Sequence, residues 1–439
     1  MKSLFILIIC TLTIHASSAQ SWVRTYYDSL NTQLNEEYQI LDGDSNKVHG
    51  PYVKYHQNGA LSVKGQFESG VKYGTFEEFY PDSSALRVTN FKDGKRHGLV
   101  KAYAQNGTLL QQVEFKQDTI QGELITYYDN GKIKSKASFL KGKPDGLISE
   151  YFATGEPKSE INYKFGQPNG ISKKYYQTGV LKSEANYTNG LVNGFFKTYY
   201  TNGQLDTESS LNDGQKSGKF RTYDRQGNLI LEGNYEKGLL HGANTAYYPT
   251  GEVKHRFSYE SGKRQGENLK FYPDGTIKER SQYQQMEQEG KITAYFPDGS
   301  VQWEKQLKGG KPSGEWKFFY HNGSLKTHEQ YEKGKIKERL RYDSLGQKTA
   351  YEPFLQGLMN GKATHYYASG RLSSETTYQL GKKTGPHVSY HENGTTSAKG
   401  NYLKDREIGV WEFYNQYGRA TKRVTFKRGT IEKEEILDQ

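Results

Sequence analysis

The chain has 439 residues, of which only 33% are hydrophobic, with a mean hydropathy of −0.91, too little apolar material for a thick globular core. Its 36 tyrosines and 20 phenylalanines exclude a disordered polar tract, and 48 glycines against 11 prolines point to tight turns between aromatic-rich strands. The formal net charge of +11 reads first as solubility and protection of strand edges, and second as attraction to anionic surfaces.

Residues 1–19 differ from the rest. Lys2 supplies a short positive region, residues 4–14 are almost entirely apolar, and small residues follow at Ala16, Ser17, Ser18 and Ala19. This is the pattern of a secretory leader cleaved after Ala19, and the apolar run is short for a membrane span of roughly 20 residues. The chain is therefore expected to be exported to the periplasm, cell surface or medium. Its single cysteine, Cys10, leaves with the leader, so the mature chain is expected to have no disulfide and no cysteine chemistry. Residues 20–49 read as an N-terminal cap, with residues 38–41 forming a half-repeat strand.

From Gly50 onward a glycine recurs every 24 residues, through Gly122, Gly146 and Gly170 to Gly314. After one slip of a residue, at Lys337, the series resumes at Gly361, Gly385 and Gly409, giving sixteen tandem repeats over residues 50–433. Counting that glycine as position 0, position 5 is always aromatic (Tyr127, Tyr151, Tyr175, Tyr199) and position 9 is glycine in all repeats but one (Gly131, Gly203, Gly275). Asn-Gly or Asp-Gly between aromatic and β-branched runs is the strongest short hairpin signal, and a type I′ turn there needs both residues at positive φ. A second Gly-bearing turn, as in LKGKPDG (140–146), returns the chain to the next hairpin. The fold class expected is all-β: an elongated antiparallel β-meander of about sixteen β-hairpin repeats, with no sustained helical periodicity outside the leader. Residues 434–439 form a charged C-terminal tail.

The adjacent aromatics at positions 5 and 6 face opposite sides of a regular strand, unless a bulge in each repeat reverses the parity. The constant column at position 5, with the recurrent glycines, reads as structural. The column at position 6 varies to His56, Ala104, Asp224, Asp343, His391 and Asn415. Its tyrosines, Tyr128, Tyr176, Tyr200, Tyr248, Tyr272 and Tyr320, are the better ligand-binding candidates.

The string G-x-x-x-x-Y-Y-x-N-G, with the linking turns GKRHG (94–98) and GLLHG (238–242), resembles the MORN-repeat variant of many bacterial proteins. The resemblance implies an antiparallel meander used for binding or scaffolding. Some bacterial relatives are labelled antitoxin, and eukaryotic MORN proteins are associated with membranes and assembly platforms.

Chemistry is sparse. No H-E-x-x-H occurs, and NGKAT (360–364) and GKKTG (381–385) lack phosphate-loop spacing. Asp42, Asp44 and Asn46 imitate the start of a calcium loop without its glycine or its closing glutamate. His49, His97 and His241 share one position but lie repeats apart. No catalytic residue, metal or cofactor is expected, and export disfavours nucleic acid. The expected function is a non-catalytic scaffold for a protein partner or an anionic envelope surface, lipid or polysaccharide. The alternatives are a glycan-binding module using the tyrosine columns and an antitoxin or immunity-like protein. Lysines at Lys141, Lys143, Lys263, Lys311 and Lys335 sit in the linking turns.

Overall fold

The computed structural model describes residues 19–437; Cys10 and the leader up to residue 18 lie outside them. The described residues form forty strands and no helix, so none is long and apolar enough to cross a membrane as a helix. Strands pair antiparallel with their sequence neighbours, as Thr119–Tyr127 does with Leu109–Lys116 on one side and Ile133–Leu140 on the other. The all-β meander is thus as expected, but the two turns exchange their chemistry.

At the Asn-Gly turn only the glycine is left-handed: Gly131 has φ 78° and Asn130 does not lie at positive φ. The Gly131 N–H donates to the Tyr128 carbonyl at 2.9 Å, and the Tyr128 N–H to the Lys132 carbonyl at 2.8 Å. This is a type I turn followed by a left-handed glycine, not type I′. Asn130 is chosen for its side chain, whose Oδ1 accepts the Lys132 N–H at 3.1 Å. The type I′ turn is the linking one, where Lys141 and Gly142 have φ 49° and 77°. It recurs at other links with a bulky first residue tolerated, as at Phe165 (51°) and Leu380 (48°), whereas the link after Gln284 is a longer turn with Gln285, Met286 and Glu287 all at positive φ.

Most repeats also carry two bulges, although the Ile277–Gln284 and Glu289–Tyr295 strands pair in continuous register at Gly290. Pairing slips between Thr126 and Tyr127, so the position 5 ring stands at an irregularity and the simple parity of Tyr127 and Tyr128 does not apply. Pairing slips again between Ile120 and Leu124, where Gly122 has φ 84° and a Cβ would lie 2.6 Å from the Glu114 carboxylate. The slipped repeat shows why Lys337 is allowed: Gln330 pairs with Glu338 and Tyr331 with Ile336, a bulge one residue shorter in which Lys337 avoids positive φ.

The cap read at residues 20–49 is itself a divergent hairpin, made of Gln20–Tyr26 and Leu34–Leu41 leading into Asp44–Tyr55. The tail read at 434–439 is strand as far as Ile436, because Thr430–Ile436 pairs with Ala420–Lys427.

The chain divides into two compact units, residues 1–205 with 211–214, and residues 206–210 with 215–439. In both, positions 2 and 15 pair across each hairpin and point to the buried face. In the first unit these are Phe76 with Thr89, Val100 with Val113, and Leu124 with Ala137. Phe67, Phe76 and Phe91 follow Tyr52 edge-on at centroid distances of 5.4, 5.4 and 5.2 Å. Gly65 makes room, since a Cβ there would lie 2.5 Å from the Phe76 ring. In the second unit the same columns hold Phe220 over Gly233 and Trp411 beside Val424, with Gly400 clearing the indole. There they also hold a charged filling: Glu329, Arg339 and Glu352.

Candidate functional site: the tyrosine and lysine edge

The position 6 tyrosines sit where each strand enters the Asn-Gly turn. Their hydroxyls are committed to the next repeat. Tyr128 donates to the Tyr151 carbonyl at 2.7 Å and Tyr176 to the Tyr199 carbonyl at 2.8 Å in the first unit. In the second unit Tyr248 donates to Phe271, Tyr272 to Tyr295 and Tyr320 to Tyr342, at 2.9, 3.0 and 3.1 Å. Tyr200 stands at the equivalent place, its carbonyl accepting the Gly203 N–H at 2.9 Å. These side chains are half-buried. The column nominated for ligand binding is therefore first a stitch between repeats.

The substitutions in that column obey the same physics. His56 and His391 place Nε2 at 2.9 Å from the Phe79 and Tyr414 carbonyls, replacing a phenol donor with an imidazole one. Tyr27, in the divergent first hairpin, donates to the Tyr55 carbonyl at 2.8 Å across 28 residues, where the regular repeat uses 23. Asp224, Asp343 and Asn415 do something else. Their repeats carry Gln226, Leu345 and Tyr417 where most other repeats have Asn or Asp and a few have Thr or Ser, so the turn has lost its usual cap. Asp224 Oδ1 accepts the Gln226 and Asn228 N–H groups at 2.9 Å each, and Asp343 and Asn415 cap their turns likewise. Hydrogen bonding to the ionised form, first from the Asn228 side chain, holds the Asp224 carboxyl below the usual range.

The opposite margin is stitched by backbone. The Gly142 N–H donates to the Ile120 carbonyl at 3.0 Å, and Gly166 and Gly190 repeat the bond to Pro144 and Pro168 at 2.8 and 2.9 Å. Gly146 and Gly170 sit at the position 0 bulges with φ 100° and 99°, while Gly203 and Gly275 close Asn-Gly and Asp-Gly turns at 87° and 85°. The constant tyrosines at position 5 meet carboxylates: Tyr175 donates to Glu160 at 2.7 Å and Tyr199 to Glu184 at 2.8 Å. In the second unit Tyr247 donates to Glu232 at 2.8 Å, and Arg221 lies 3.3 Å from that carboxylate. Burial, followed by the Glu160 bond, pushes the Tyr175 hydroxyl up to about 12. Tyr127 and Tyr151 lead into turns of the same build, each at its bulge.

What the sequence reading missed is a lysine six residues beyond the position 6 ring. Lys134 and Lys182 place Nζ 5.8 and 5.5 Å from the centroids of Tyr128 and Tyr176. Lys254, Lys278 and Lys326 do the same over Tyr248, Tyr272 and Tyr320, at 5.8, 5.3 and 5.3 Å. All five lysines are exposed, and among the described residues none forms an ion pair within 4.0 Å. Lys158, at the same position, pairs instead with Glu150 at 3.2 Å. Each ring thus has its hydroxyl used and one face under an ammonium, an arrangement that favours the cation in place. The spacing Tyr-x5-Lys across a turn was visible in the repeats, but only the cross-turn geometry makes it a contact.

The other motifs resolve into turns. Asp42 and Gly43 form a type I′-like link with φ 54° and 71°, and Asp44 Oδ1 accepts the Asn46 N–H at 2.9 Å. Leu380-Gly381 is the link that leads into GKKTG, and Asn360 in NGKAT donates its N–H to the Pro353 carbonyl at 3.0 Å. His49 and His241 serve local partners, the Ser69 N–H and Glu236, at 3.3 and 3.4 Å. Among the described residues no group of His, Cys, Asp and Glu is gathered to hold a metal.

Comparison with known proteins agrees with the repeat. Segments 96–117, 120–141, 144–165, 168–189, 216–237, 264–285, 312–333 and 359–380 match the family model described as MORN repeat variant. No curated protein matches the chain. Among solved structures, it is similar to a TcdB2-TccC3-TEV crystal structure at 12% identity and TM-score 0.14, covering 95% of this chain and 25% of that one. It is similar also to the Photorhabdus luminescens Tc holotoxin pore, at 12% identity and TM-score 0.14, covering 89% of this chain and 24% of that one. The chain spans about a quarter of those chains, and at such scores neither likeness carries an argument.

Proposed function

The chain belongs to the MORN repeat variant family, and from that premise we propose that it is an exported, non-catalytic scaffold that binds a protein partner or an anionic envelope surface. Contact is spread over successive repeats, along the edge where lysines lie over the position 6 tyrosines. The observation that supports this reading is the set of Lys134, Lys182, Lys254, Lys278 and Lys326, exposed and without carboxylate partners among the described residues. Each exposed charge contributes little alone, so useful affinity requires several acting together. Stacking of a neutral sugar on the tyrosines is the weaker reading, because the lysine occupies one face and the hydroxyl is already bonded.

The test is capture of partners from the envelope fraction by the mature chain, beside versions lacking one or two whole 24-residue repeats. Folding should survive each deletion, with capture weakening stepwise and falling with salt. Complete loss of capture on changing a single side chain, or turnover of a substrate, would overturn the scaffold reading.

A further inference from the structure

The lysine edge repeats with a fixed pitch. Neighbouring strands are about 4.8 Å apart, so equivalent residues of successive repeats are separated by roughly 10 Å. Lys254 and Lys278 are one repeat apart, and Lys134 and Lys182, like Lys278 and Lys326, are two. Successive strands also rotate by roughly 20–25° in a twisted sheet. With that twist, ammonium groups two repeats apart would face directions about a right angle from one another. A planar lipid surface meets one or two such groups. A flexible polymer that winds with the edge meets each in turn.

From this pitch and rotation we propose that the occupant of the edge is a linear acidic polysaccharide bearing one anionic group per disaccharide. The inference rests on the anionic-surface reading given above. A pyranose ring in an extended chain advances the polymer by about one inter-strand spacing, so one disaccharide spans one repeat. One charge per disaccharide then keeps register with every lysine, whether the gap is one repeat or two. The lysines suit this role. Each is a point charge on a flexible stem, able to meet a carboxylate or sulfate without the planar fit that arginine demands. The tyrosine beneath holds the stem near the edge, and because its hydroxyl is bonded to the next repeat it cannot swing away with the ligand.

The experiment is calorimetric titration of the full mature chain with hyaluronan oligomers of increasing length, which carry one carboxylate per disaccharide. A neutral polymer and vesicles of phosphatidylglycerol in phosphatidylcholine run in parallel. Affinity should rise with oligomer length until the oligomer spans Lys254 to Lys326, and fall steeply with salt. The triple variant Lys254→Gln, Lys278→Gln, Lys326→Gln should lose at least tenfold. A control variant of equal charge in the linking turns, Lys263→Gln, Lys311→Gln, Lys335→Gln, should keep most of the affinity. Equal losses in the two variants would overturn the proposal by showing diffuse charge attraction. Vesicle binding without oligomer binding would overturn it while leaving the scaffold reading intact. Failure of both anionic probes, with a protein still captured from the envelope fraction, would overturn the polysaccharide and leave the protein-partner reading. No binding by any route would overturn both.

Discussion

At Phe76, in the first unit, the core column is filled by carbon. The ring stands edge-on between Phe67 and Phe91, over a glycine that leaves it space. At Arg339, in the second unit, the same repeat position holds a guanidinium. Its Nε donates to Glu329 at 2.6 Å and its Nη1 to Glu352 at 3.1 Å, while Arg341 Nε reaches Glu352 at 3.0 Å. Glu329 and Glu352 are 7% and 9% exposed, as buried as Phe115 and Val100 on the equivalent face of the first unit. The hairpin is built the same way in both places. The ladder and the two turns set the repeat, and the buried column accepts any filling whose volumes and charges close. The ionic filling falls in the slipped repeat, where the bulge at Lys337 is one residue short.

Four changes should distinguish the carbon filling from the ionic one, in descending size. Arg339→Leu should be the most damaging, leaving Glu329 buried without its cation and Glu352 with Arg341 alone, at about 3–5 kcal/mol. Denaturant unfolding, with hydrogen exchange of the amides in Leu325–Glu332 and Lys348–Leu355, should place the loss in those strands. Replacing Glu329, Arg339 and Glu352 together by apolar residues of similar volume should recover most of it, and failure to recover would show the ionic filling is required by the short bulge. On the aromatic side, Gly65→Val drives a side chain into the Phe76 ring and should cost about 1–3 kcal/mol. Exchange protection should fall in Leu61–Glu68 and Val71–Phe79 and stay unchanged in the second unit. Tyr128→Phe removes one stitch to the Tyr151 carbonyl and should cost about 0.5–1.5 kcal/mol. His at the same place should restore part of it, as His56 and His391 already do in their own repeats.

The smallest effect is a pH dependence. His387 stands in the same column, with Nδ1 2.8 Å from Thr376 Oγ1 and its ring against Tyr402 and Trp411. Burial, aided by Lys383 and His365, lowers its proton affinity below the ordinary histidine value. The unfolded chain then binds the proton more readily than the folded one. Stability from this site is full above about pH 6.5 and is lost as pH falls through that range toward the lowered folded value. Exchange rates in Lys382–Tyr390 should rise on acidification, and His387→Gln should flatten that rise.

The Lys/Tyr edge shows how far the sequence could be read. Period, strand positions and the aromatic columns are local signals, and each was legible because a repeat displays its own variation. Asn130 and Gly131 mark a turn, yet the type I′ geometry lies at the other end of the hairpin, at Lys141 and Gly142. Asn satisfies both a left-handed backbone and a side-chain cap, and only the second is used. Likewise Tyr128 varied more than Tyr127, which suggested a ligand contact. The variation instead reflects two ways of satisfying a turn, a donor to the next repeat or a cap within its own.

The 24-residue period, the all-β hairpin class and the glycines that left-handed backbone requires can all be read along the chain. Those follow from steric limits at single residues and their immediate neighbours. Only the tertiary structure decided which face of each strand is buried, because a bulge at position 5 changes side-chain parity without changing composition. It alone decided that the tyrosine hydroxyls bond to a carbonyl 23 residues away and that lysines lie over their rings. Those contacts join residues that are neighbours only after the turn has closed and the next hairpin has stacked.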